Sequence, residues 1–107
     1  MVRIIVYIPE SSCEIVKQAM FNAGAGRYND YEHCAWQTLG QGQFKPLEGS
    51  QPYIGSINKT EYVSEYKVEM IAEESYLKDI VHAVKKAHPY EEPAMQIIPC
   101  INPDSYL

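Results

Sequence analysis

From Val2 to Ile8 every position except Arg3 is apolar and most are β-branched, the pattern of a central strand buried on both faces. Pro9 ends it. Ser11 or Ser12 is placed to cap a helix, with Glu14 in its first turn. Ile15, Val16, Ala19, Met20 and Ala23 then recur at helical spacing, and Gly24 and Gly26 stop the run. His33 to Leu39 alternates weakly, with Cys34, Trp36 and Thr38 on one side and Ala35, Gln37 and Leu39 on the other. This predicts a second strand, with Cys34 buried beside Trp36. From Gly40 to Lys59 no period survives, and the stretch reads as a long loop that is either functional or partly a hairpin extension. Glu61 to Ala72 alternates clearly: Tyr62, Tyr66, Val68 and Met70 face one way, Glu65, Lys67 and Glu69 the other. A half-solvated antiparallel strand is expected. Ser75 is placed to cap a second helix, in which Leu77, Ile80, Val81, Val84 and Ala87 form an apolar stripe before Pro89. Ala94 to Cys100 reads as the last strand, and 101–107 as a tail without assignment.

The order βαββαβ predicts an α+β sandwich on the ferredoxin-like plan, one domain over 1–107 with its core in about 2–100. The 107 residues and 46 % apolar content suit one folded core. A formal charge of −5 argues against a nucleic-acid backbone as partner. No apolar run approaches the roughly 20 residues that cross a bilayer, and the N-terminus reads as a strand rather than a signal sequence, so no membrane partner is expected. Three cysteines at wide spacing form no disulfide or zinc pattern, and free thiols in a reducing cytoplasm are expected.

Four stretches in order carry a resemblance: AGAGRYNDYEHCAW from Ala23, GQGQFKPLEGSQPYIG from Gly40, EYVSEYKVEM from Glu61 and AHPYEEPA from Ala87. Together they resemble the YqfO-like domain inserted in bacterial members of the Nif-three family, a domain similar in fold to the PII and CutA proteins. The resemblance implies a ferredoxin-like, PII/CutA-like fold and a homo-oligomer, dimer or trimer. The family has glycine then asparagine before the tyrosine where this chain has Asn29-Asp30-Tyr31; asparagine tolerates positive φ, so the turn is expected to persist. Relatives carry their two-metal site in flanking domains that this sequence lacks, so no hydrolase activity is carried over to it.

The chemistry then narrows to three stretches. Gly24-Ala25-Gly26 follows a helix, whereas a phosphate cradle precedes one. Gly40, Gly42, Phe44 and Lys45 open the long loop, where Lys45 and Tyr53 could meet a small anion between subunits. In His88-Pro89-Tyr90-Glu91-Glu92-Pro93 the prolines fix an extended connector, and adjacent glutamates on extended backbone point apart, against a catalytic carboxylate pair. His88 at a helix C-terminus is placed for a protonated imidazole. No catalytic constellation emerges. The expected function is a non-enzymatic oligomeric module binding a small ligand or protein partner at subunit interfaces, with Tyr31, Gly40, Gly42, Phe44, Lys45, His88, Tyr90 and Glu91 as ligand residues. Two alternatives stay open: a CutA-like divalent metal site from His33, Cys34, His88, Glu91 and Glu92, and a detached regulatory part of a Nif-three-type hydrolase. No cofactor other than such a metal is implied.

Overall fold

A computed structural model describes residues Met1–Leu107. Its elements run β1 (Val2–Pro9), α1 (Cys13–Asn22), β2 (Trp36–Phe44), β3 (Glu61–Ala72), α2 (Leu77–Ala87) and β4 (Met95–Pro99). The four strands form one antiparallel sheet in the order β2-β3-β1-β4, and the chain is the expected α+β sandwich. Strand alternation divides the sheet into two faces. On one, Val2, Ile4, Val6 and Ile8 of β1 pair in register with Ala72, Met70, Val68 and Tyr66 of β3. Cys13, Val16 and Met20 of α1 and Ile80 and Val84 of α2 close over them as the core. On the opposite, open face stand Arg3, Ile5 and Tyr7 of β1, beside Ile71, Glu69 and Lys67 of β3.

Local chemistry explains the joints. Each helix begins through a 3₁₀ turn, Glu10–Ser12 or Glu74–Tyr76, and the first helical N–H donates to the carbonyl of Glu10 or Glu74. Backbone bonding of this kind satisfies first-turn donors, so the expected side-chain caps from Ser11, Ser12 and Ser75 are not made. The first helix ends as expected: Gly24 and Gly26 take φ of 112° and 77°. Asn29 takes φ 51°, the region its side chain tolerates.

Three expectations fail. Ile15 is 65 % exposed: the inward stripe of α1 is Cys13, Val16 and Met20, and Ile15 falls off it. The second strand begins at Trp36, not His33, because His33 has φ 58° and stacks on Phe21 with ring centroids 4.5 Å apart. Cys34 therefore lies before the strand and is half-buried, beside an exposed Trp36; the buried thiol is Cys13. At its other end β2 runs to Phe44, so Gly40 to Phe44 is the hairpin extension offered as one alternative for the start of the long loop. Paired residue for residue with 61–69 of β3, it forms a ribbon that leaves the core. The remaining loop, 45–60, folds on itself, with the Asn58 N–H donating to the Pro46 carbonyl at 2.6 Å. The tail closes with a 3₁₀ turn, Pro103–Tyr106. No helix is long and apolar enough to cross a membrane.

Candidate functional site

The expected ligand residues separate into two groups. Phe44, Tyr90 and Glu91 converge on a cleft of about 230 Å³ over the open face, where the β2–β3 ribbon leaves the core. The 45–60 loop and the connector 88–94 wall it in. Tyr90 is the hub: its ring lies 5.8 Å from that of Phe44, 6.4 Å from Tyr53 and 5.0 Å from His88. The Gln51 N–H donates to Glu91 Oε1 at 3.2 Å and ties the loop to the connector. Tyr31 is not part of this arrangement. It is 72 % exposed and bridges Tyr28 in the segment that Gly26 anchors to Ile71. Lys45 is exposed and lies outside the lining of this cleft.

His88 corrects the picture of a protonated helix-end imidazole. It is buried, its Nε2–H donates to the Tyr7 carbonyl at 2.8 Å, and its Nδ1 accepts from the Tyr90 N–H at 3.1 Å. That pair of bonds fixes a neutral tautomer. Burial lowers its pKa, against a smaller upward pull from the Tyr7 hydrogen bond. Both ring nitrogens are occupied, so His88 acts as a strut that holds Tyr90 against β1 rather than as a ligand.

The same geometry scatters the expected metal donors. His33 and Cys34 sit by Phe21 and Gly26, near the beginning of β1, whereas His88 sits by Tyr7, near its end. Glu91 and Glu92 line the cleft. No three His, Cys, Asp or Glu side chains approach one another closely enough to hold a cation, so the five do not form one centre within the protomer.

Sequence reasoning missed Tyr7 and Glu65, both of which line the cleft. Glu65 belongs to the alternating polar face of β3, which reads as solvated. Burial raises its pKa. It pairs in register with Gly40, and a Cβ on neighbouring Gly42 would overlap its carboxylate. Gly40 has open space at that position, so of the two β2 glycines only Gly42 is required by close approach. Two glycines in one strand opposite a glutamate are the signal that could have pointed to it. The Tyr90 hydroxyl is buried with no hydrogen-bond partner. Burial, then the nearby Glu65 and Tyr53, push its pKa up to about 12.

The fold defines a two-layer α+β domain, and similarity carries this further. No family model matches. A Mycobacterium tuberculosis protein named GTP cyclohydrolase 1 type 2 homolog is 41 % identical over 99 residues, 92 % of this chain and 26 % of that protein. The Bacillus subtilis protein of the same name is 42 % identical over 97 residues, 91 % and 26 % respectively. The solved structure of a Bacillus cereus protein related to NIF3 superposes with a TM-score of 0.82 at 34 % identity, over 94 % of this chain and 26 % of that one. Pyrococcus horikoshii CutA superposes at 0.69 with 20 % identity, over 99 % and 92 %, and shows the shared fold. The chain is homologous to a segment of NIF3-family proteins, and spans about a quarter of the length of the relatives it matches.

Proposed function

We propose that this chain is a non-enzymatic module that self-associates through the open face of its sheet and binds a small ligand in the adjoining cleft. The observation that carries the reading is the shape of the protomer. Its radius of gyration is 15.1 Å with extents of 52 × 23 × 22 Å, against about 13 Å for a compact chain of this length. Only 20 of 107 residues are buried, little core for a ribbon this long. On the open face Trp36 is 68 % exposed, beside Tyr28, Ala35 and Ile71 around a shallow depression. The outer edge of β2 is unpaired, and association supplies the cover such an edge and patch require. The PII/CutA resemblance implies the same, and a closed ring of two or three copies would set the cleft at a subunit boundary.

Hydrogen exchange tests the surface. Amides of Trp36–Phe44 on the unpaired edge of β2 should be protected at tens of micromolar and lose protection on dilution. Protection independent of concentration would contradict the proposal.

The match to a quarter-length segment of longer proteins favours one further role. In it the module regulates a NIF3-type protein to which it is joined or docked, and the cleft is the sensing element.

A further inference from the structure

The chemistry of the cleft selects the sign of its ligand. Four aromatic rings and three carboxylates line it, and no lysine or arginine does. Glu91 already accepts from the loop backbone. Glu65 has no such partner: the two ion pairs of the chain are Arg3–Glu69 and Glu14–Lys17, and no hydrogen bond reaches the Glu65 carboxylate. Beside it lies the buried Tyr90 hydroxyl, also without a partner. The Tyr90 hydroxyl is thus withdrawn from water and left unsatisfied beside a half-buried, unpaired carboxylate, an arrangement that costs stability unless something binds there. Gly42 preserves it, because a side chain at that position would displace the Glu65 carboxylate. The surrounding rings present faces that attract cations, and an anion would meet only like charge.

We propose that the cleft binds a small alkylammonium ion, an amine or diamine, whose N–H groups donate to the Glu65 carboxylate and Tyr90 Oη while its methylenes lie against Phe44 and Tyr53. This rests on the reading of the cleft as a ligand site. The size agrees: 230 Å³ holds on the order of eight water-sized groups at about 30 Å³ each. A bound ammonium pairs the half-buried Glu65 carboxylate and satisfies the orphan Tyr90 hydroxyl, the former through a charge-assisted bond.

Amide NMR titrations of the full chain with n-pentylamine, cadaverine, n-pentanol and inorganic phosphate test this. The amines should shift the amides of Tyr53, Glu65, Tyr90 and Glu91 saturably, at least tenfold more tightly than pentanol, their neutral isostere, and phosphate should leave those amides in place. Glu65→Gln should reduce amine binding to the pentanol level while melting at the same or a higher temperature, since it removes a desolvated charge. Tyr90→Phe should stay folded and weaken the amines at least threefold. Pentanol binding as tightly as pentylamine, unchanged amine affinity in Glu65→Gln, or phosphate shifting the same amides would overturn the cation proposal and leave the ligand site standing. No response at these amides to any probe would overturn both.

Discussion

Replacing His88 by leucine is expected to lower the unfolding free energy by about 2–4 kcal/mol and to remove the acid-side slope of the stability profile. Leucine fills the buried space but can neither donate to the Tyr7 carbonyl nor accept from the Tyr90 N–H. Each abandoned group costs about 1–3 kcal/mol where water cannot reach it. The pH dependence follows from the lowered pKa. In the folded chain His88 holds its proton more weakly than the 6.5 of a free imidazole, so the unfolded chain binds more protons as pH falls. Stability is therefore full above about pH 6.5 and declines as pH drops toward the folded value. Urea titrations at pH 7.5 and at successive acid steps compare the two proteins. An unchanged acid slope in the leucine variant would remove His88 from the account. Because His88 holds Tyr90, the variant should also loosen the cleft, seen as mobile ring signals for Tyr90 and Tyr53.

The second large effect lies at the other end of the sheet. Gly26→Ala is expected to cost about 2–3 kcal/mol, from left-handed backbone strain and a rigid backbone contact. Gly26 has φ 77°, and a Cβ there would stand 2.8 Å from the Cys34 carbonyl oxygen and 3.1 Å from its nitrogen. Neither is the far end of a flexible side chain. The glycine also staples the segment that leads into β2: its N–H donates to Ile71 and its carbonyl accepts from Cys34, both at 2.8 Å. Losing that staple should disorder Tyr28 to Ala35 and, with it, the surface around Trp36. Thermal melts paired with size measurements check this. A variant as stable as the parent would contradict the described geometry.

The parts of the chain whose burial is dictated by periodicity were legible in the sequence. The core row of β3 and the α2 stripe of Ile80 and Val84 follow from alternation and helical spacing alone, and that of β1 from its continuous apolar run, although Arg3 and Tyr7 on its second face are not buried as that run suggested. The second strand was not, because most of it lies outside the core: seven of its nine residues are exposed, so no hydrophobic pattern marks where it starts or ends. Its glycines left a loop and a hairpin extension both open, and pairing with Glu61–Glu65 makes Gly40 to Phe44 a strand. In the cleft, Phe44, Tyr90 and Glu91 came into view through the conspicuous loop and the proline-bracketed connector. Tyr7 and Glu65 stayed hidden because each occupies an ordinary place in a strand, and only the sheet register brings them together. His88 was misjudged for a related reason. Sequence shows that it ends a helix, but not that the connector then turns its ring onto the backbone of β1, 81 residues away.

The central claim is that this protomer completes itself against further copies through its open face. Sedimentation equilibrium of the chain at micromolar concentration tests it most directly. The account predicts a mass of two or three times the 12.2 kDa protomer, falling toward the protomer mass when Trp36 is replaced by aspartate. A single species of 12.2 kDa across that concentration range would contradict it.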